Sequence, residues 1–175
     1  MAGKIIGVFG SGNISKTQAE WQAAYDVGRT IAQNGGVVLT GGLGGVMSAA
    51  SQGARDAGGT TIGVLPGSRT TTPPNRYVDI AIYTGMGEAR NVINVKSCDA
   101  AIAIGGEYGT LSEIALALKS GCPLVLLGSW EFKSAHMPVD PCLKAETPQE
   151  AVQMAMAAAK VDLQQLNTLN GFDLT

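Results

Sequence analysis

The chain has 175 residues, 45% of them hydrophobic and 15% charged, with a formal net charge of −2. That length suits one domain with a sizeable core, and so nearly neutral a balance excludes nucleic acid and membrane surfaces as partners attracted by charge. The three cysteines, Cys98, Cys122 and Cys142, are odd in number and widely spaced. They fit neither a disulfide framework nor a zinc pattern, so reduced thiols in a cytoplasmic compartment and no protein-ligated metal are expected. The N-terminus runs straight into an apolar segment too short for a signal peptide, and no apolar stretch is long enough to span a bilayer. The 24 glycines are many for a globular domain and cluster after apolar runs.

In chain order, residues 4–9 form an apolar run that predicts a buried strand, ending in the turn Gly10-Ser11-Gly12-Asn13. A helix is predicted over residues 18–33, with Trp21, Tyr25, Gly28, Ile31 and Ala32 on one face and Asn34-Gly35-Gly36 as its stop. Residues 37–39 read as a strand, Gly41-Gly42-Leu43-Gly44-Gly45 as its turn, and residues 46–57 as an alanine-rich helix. A strand over 61–65 leads into residues 66–76, whose three prolines and threonine run predict an exposed loop. Strands follow over 78–83, 100–104 and 124–127, with helices over 89–97 and 110–119. Thr147-Pro148-Gln149-Glu150 opens a last helix with a threonine cap, proline at its first position and glutamate at its third. Strands alternating with helices, most of them continuous apolar runs, define an α/β fold: a single doubly wound Rossmann-like domain with a mostly parallel sheet, over residues 1–160, followed by a tail over 161–175.

Ligands of such sheets bind outside the carboxyl ends of the strands, where all three glycine-rich turns fall. The turn Gly105-Gly106-Glu107-Tyr108-Gly109-Thr110-Leu111-Ser112-Glu113 carries the most chemistry. Its glycines allow close backbone approach, and a helix N-terminus favours an anion by roughly 0.3 to 2 kcal/mol. Glu113 has two readings: a group that reaches the ligand, or the fourth residue of a capping box begun by Thr110. Gly41, Gly42, Gly44 and Gly45 form a second phosphate-loop candidate. Gly10, Ser11 and Gly12 form a third, without a full Gly-x-Gly-x-x-Gly pattern and without an acidic residue closing the second strand, so NAD is not expected. Arg90, near a helix start where positive charge is unfavourable, reads either as a phosphate clamp or as a salt bridge to Glu88 or to a neighbouring subunit. His136, the sole histidine, reads as a solvated loop residue. Trp21, Tyr25, Trp130 and Phe132 read as packing residues, whereas Tyr108 is placed to line a pocket.

Residues 105–113 resemble the Pro-Gly-Gly-x-Gly-Thr-x-x-Glu motif of the LOG-like superfamily (SLOG), whose members were once labelled lysine decarboxylases. Residues 41–47 resemble its second glycine-rich turn, and Met86 with Arg90 its Met-x-x-Arg-Lys segment. The runs Gly58-Gly59-Thr60-Thr61-Ile62-Gly63-Val64-Leu65-Pro66-Gly67 and Ala115-Leu116-Ala117-Leu118-Lys119 resemble the short branch that includes the molybdenum cofactor carrier proteins. In the superfamily's enzymes an arginine and a glutamate cleave the N-glycosidic bond of nucleoside 5′-monophosphates, and by position Arg90 and Glu113 would take those catalytic roles. Three departures separate this chain from the motif: Asn91 for lysine, one extra residue between Met86 and Arg90, and Ile104 for proline.

The resemblance implies a carrier for a phosphorylated pterin or nucleotide, with molybdenum cofactor (molybdopterin) as its cargo. The alternative is a nucleoside 5′-monophosphate phosphoribohydrolase. The ligand-binding set would be Gly10, Ser11, Gly12, Gly41, Gly42, Gly44, Gly45, Met86, Arg90, Asn91, Gly105, Gly106, Tyr108, Gly109, Thr110 and Glu113. A homodimer or homotetramer is implied, with molybdoenzymes as recipients of the cargo. Ala49, Ala50, Ala54 and Ala57 of the alanine-rich helix are expected to pack between subunits.

Overall fold

A computed structural model describes residues 3–132 and 142–159. The expectations for His136 and for the 161–175 tail lie outside the described residues. The elements run β1 (Ile5–Gly10), α1 (Ala19–Gln33), β2 (Val37–Thr40), α2 (Gly45–Asp56), β3 (Thr61–Leu65), β4 (Ile80–Tyr83), a 3-10 turn (Gly87–Arg90), α3 (Asn91–Lys96), β5 (Ala100–Ile104), α4 (Tyr108–Ser120), β6 (Leu124–Leu127), β7 (Leu143–Ala145) and α5 (Pro148–Ala158).

The seven strands form one sheet in the order β4-β3-β2-β1-β5-β6-β7, every neighbouring pair parallel. The order reverses between β1 and β5, which opens a crevice at their carboxyl ends. Alternation along the strands divides the core. Ile6, Val8, Ala100, Ile102 and Ile104 face the layer of α1, α2 and α5. Phe9, Ala101 and Ala103 face Val95 of α3 and Ile114 and Ala117 of α4. Every residue of β5 is buried, as a central parallel strand covered on both faces requires.

Three elements depart from the sequence reading. β7 is an added strand, paired through Val125↔Leu143 and its neighbours. Its two exposed positions out of three leave no apolar run to find. The helix expected over 89–97 begins as a 3-10 turn at Gly87, whose φ is +55°. The alanines of α2 serve the protomer itself: Ala49, Ala50 and Ala54 are fully buried beneath α1, and Ala57 is half-buried. The expectation that Ala49, Ala50 and Ala54 pack between subunits is therefore corrected, because small residues here let two helices of one chain approach closely.

That approach is tight. A Cβ at Gly28 of α1 would collide with the backbone carbonyl of Ala50, and one at Gly53 of α2 with that of Tyr25. In an open helix Gly→Ala gains up to about 1 kcal/mol of propensity. Between two backbones the overpacking outweighs it, so Gly28→Ala is expected to destabilise by about 2 kcal/mol, read by urea denaturation. The last helix starts as its sequence indicates, with the Thr147 hydroxyl accepting the Glu150 N–H at 3.2 Å.

Candidate functional site

The carboxyl ends of β1, β2 and β5 open into a cleft of about 570 Å³. Two helices begin on it without side-chain caps: α2, with Gly44 before its first turn, and α4, with Glu107. The first N–H groups of a helix have no partner inside it. The Val46 N–H is taken by the Ser11 carbonyl at 3.0 Å. The N–H groups of Tyr108, Gly109 and Thr110 face their turn with no capping side chain. Two dipoles and open amides at the sheet's switch point make a place for an anion.

The turns touch one another. Gly45 has φ +58°, and a Cβ on it would strike the Ser11 carbonyl and Gly12. Gly41 lies against Arg90, where a Cβ would come within 2.6 Å of Nη2. Glycine at position 41 thus makes room for the guanidinium.

Arg90 ends the 3-10 turn directly before α3 and is 9% exposed. Its Nη1 donates to Asn91 Oδ1 at 2.8 Å and to Glu113 Oε1 at 3.4 Å. Its Nε is buried without a partner, and among the described residues no group accepts from Nη2. One edge of the guanidinium is therefore held by protein; on the other, Nη2 has no acceptor among the described residues and suits a phosphate or carboxylate oxygen, while Nε is sealed from solvent. Asn94, one helical turn beyond Arg90, donates to Glu113 Oε1 at 2.9 Å. Asn91 donates to the Ser112 hydroxyl at 2.7 Å, which in turn donates to the Gly109 carbonyl at 2.7 Å.

Glu113 is not a cap. α4 begins at Tyr108, so Thr110 and Glu113 lie inside the helix, and the carboxyl points into the site at 7% exposure. The capping-box reading is corrected, and with it Arg90's alternative of a surface salt bridge to Glu88: its partner is Glu113. Burial pushes the Glu113 carboxyl up to about 7, against the opposing pull of the Asn94 hydrogen bond and of Arg90's charge. Burial likewise lowers Arg90, and Glu113 pulls it back.

Of the residues singled out in the sequence, Gly10, Ser11, Gly12, Gly41, Arg90, Asn91, Tyr108, Gly109, Thr110 and Glu113 line this cleft. Gly42, Gly44, Gly45 and Gly105 do not; they shape the turns behind it. Gly106 lines a smaller neighbouring hollow with Ser11 and Asn13. Met86 is half-exposed and outside the cleft lining. Asn94 and Ser112, which fix the charged pair, escaped the sequence reading. Asn94 was signalled by its place four residues after Arg90, on the same helical face. The aromatic readings fit the contacts: Trp21 stacks on Tyr25 at 5.7 Å and packs against the core, as Trp130 and Phe132 do on the other layer.

A larger depression of about 930 Å³ lies at the opposite edge, beside Cys98, Cys122, Lys4, Lys96 and Lys119. It lacks the chemistry of the cleft. Helices α3 and α4 end there, and Lys96 and Lys119 in their last turns complement the carbonyl ends. Burial raises the Cys98 thiol well above its ordinary value and Cys122 to about 11, which disfavours the thiolate at both. Among the described residues no cluster of metal-ligating side chains occurs, and no helix is long and apolar enough to cross a membrane.

An all-parallel doubly wound sheet with its cleft at the switch point places the chain in the Rossmann-like class. The chain belongs to the SLOG cluster4 family, whose sequence model matches residues 3–160. It is similar to the molybdenum cofactor binding protein of the phototrophic bacterium Rippkaea orientalis, with 44% identity and a TM-score of 0.80 over 90% of this chain and 98% of that one. It is also similar to the molybdenum cofactor carrier protein of Chlamydomonas reinhardtii, with 39% identity and a TM-score of 0.77 over 89% of this chain and 98% of that one. An uncharacterized protein of Archaeoglobus fulgidus is 43% identical over 147 residues, which are 80% of this chain and 95% of that protein.

Proposed function

We propose that the chain is a carrier for a phosphorylated pterin, molybdenum cofactor, held in the cleft at the β1/β5 switch point. The observation that carries this reading is Arg90 Nη2, which has no acceptor among the described residues and lies beside two helix N-termini without side-chain caps. Arg90 Nη2 would take one oxygen of the ligand's phosphate, and the amides of residues 108–110 another. Gly10, Ser11, Gly12 and Gly41 would let the ligand come against backbone. Asn91 and Ser112 would keep Arg90 and the start of α4 in register. Gly42, Gly44, Gly45, Gly105 and Gly106 belong to this reading as shapers of the turns, and Met86 as a residue of the rim at most. The likeness to two proteins whose names specify this cofactor supports the choice of cargo. The same reading places the protein in the cytoplasm as a homodimer or homotetramer, over a folded unit spanning 1–160, with molybdoenzymes as recipients.

The experiment is direct. Protein purified from cells that make the cofactor is expected to carry molybdenum and pterin in equal amounts. Folded protein that takes up neither at micromolar cofactor would overturn the proposal.

The second reading, a phosphoribohydrolase, draws on the buried Arg90–Glu113 pair and on a carboxyl near 7, a value suited to acid–base work. Against it, Asn91 stands where those enzymes keep a lysine. Incubation with a panel of nucleoside 5′-monophosphates is expected to release no free base. Release that disappears in Glu113→Gln would establish the enzyme instead.

A further inference from the structure

The anion grip uses one side of the cleft. The lining also includes the apolar Phe9, Leu43, Met47 and Pro66, the ring of Tyr108, and a second carboxylate, Glu88, besides Glu107. Tyr108 is 82% exposed, unlike the packed Trp21, Tyr25, Trp130 and Phe132. Its ring leans on Trp130, centroids 6.3 Å apart and planes at 37°. Such a support fixes an open aromatic face beside an apolar wall, which is how proteins present a surface to a flat ring. Glu107, the neighbour of Tyr108, also lines the cleft, and its carboxylate has no hydrogen-bond partner among the described residues. A carboxylate there repels phosphate. It is favourable if a part of the ligand other than the phosphate held by the neighbouring 108–110 amides carries N–H donors.

We propose that Tyr108, braced by Trp130, is a stacking platform for a heteroaromatic ring, and that Glu107 accepts hydrogen bonds from that ring's amino and N–H groups. The specificity that follows is for phosphorylated ligands with an amino-oxo-pyrimidine edge, the edge that pterins share with guanine. The proposal rests on the phosphorylated-ligand reading above, and it assigns the part of the ligand that the phosphate grip leaves unread. No electron or group transfer is involved; Tyr108 contributes dispersion and Glu107 directional acceptance.

The test uses three probes: guanosine 5′-monophosphate, inosine 5′-monophosphate, which lacks the 2-amino group, and ribose 5-phosphate, which lacks the ring. Affinities are measured by calorimetry on the full chain, with circular dichroism to verify folding. Tyr108→Ala is expected to weaken guanosine monophosphate about tenfold and to leave ribose 5-phosphate within about twofold. Glu107→Ala is expected to abolish a preference of about fivefold for the guanosine over the inosine nucleotide. In a Trp21→Phe background Trp130 is the one remaining tryptophan. Its emission is expected to change with guanosine monophosphate and not with ribose 5-phosphate. If wild type binds ribose 5-phosphate as tightly as guanosine monophosphate, or Tyr108→Ala weakens both equally, the ring subsite is refuted while the phosphate grip stands. Equal binding of the two nucleotides by wild type refutes the role of Glu107. If none of the three probes binds, the phosphate reading falls and this proposal falls with it.

Discussion

Arg90→Met is expected to weaken binding of guanosine 5′-monophosphate and of ribose 5-phosphate alike, by about 100-fold, because both lose the same charge and its charge-assisted hydrogen bond. That pattern differs from the ring-dependent loss expected at Tyr108. Methionine keeps the apolar stem of Arg90 but not the Nη2 and Cζ atoms that lie against Gly41, so circular dichroism on the variant separates loss of the guanidinium from a collapsed turn. The effect on stability is smaller and depends on pH. With Arg90 gone, the Glu113 carboxyl loses an opposing charge and its protonation moves above the value of about 7 that it has in the intact site. Taking up a proton limits the cost of leaving Glu113 ionised and unpaired, which caps the added cost at about 1.5 kcal/mol at pH 8. Near pH 4, where Glu113 is neutral in both proteins, the variant is expected to equal or exceed wild type. Burial already disfavours the arginine's charge, and its Nε has no partner. Calorimetric titration and urea denaturation at the two pH values check the two halves. Ligand affinity that survives Arg90→Met would remove the arginine from the binding site.

What the sequence reveals and what it hides divide along contact range. The strands of the central sheet were legible because parallel strands buried on both faces leave uninterrupted apolar runs, as at residues 100–104 and 124–127. The three glycine turns were legible because each follows such a run. β7 was hidden: three residues with two exposed become a strand only through pairing with β6, a long-range event without local pattern. Glu113 shows the same limit from the other side. Thr-Leu-Ser-Glu is locally a capping box, and nothing within ten residues says otherwise. The deciding contacts come from Arg90 and Asn94, 23 and 19 positions away. The alanines of α2 carried correct information, close packing, but not the identity of the partner. Gly28 and Gly53, facing the opposing backbones, supply it.

Glu113→Gln is expected to stabilise the protein at pH 8 by about 3 kcal/mol, with the gain vanishing toward pH 4. The argument is one of linkage. The carboxyl titrates at about 7 in the folded chain, against 4.5 as its ordinary value. Because the folded value is raised, the folded state holds the proton more tightly. The stability this confers is full below 4.5 and is lost as pH rises through 7. The difference corresponds to about 3 kcal/mol at the alkaline end. Glutamine cannot ionise, so it escapes that loss, while its carbonyl keeps both hydrogen bonds that Oε1 accepts from Asn94 and Arg90. Urea denaturation at pH 4, 6 and 8 should show the two proteins diverging across that window; parallel curves would mean that Glu113 ionises as freely as an exposed carboxyl. A residue that destabilises its own fold at working pH is retained for some other reason, and ligand affinity separates the candidates. For a carrier, removing a negative charge beside the phosphate site leaves binding equal or tighter at pH 8. For a hydrolase, the same substitution leaves binding intact and abolishes base release.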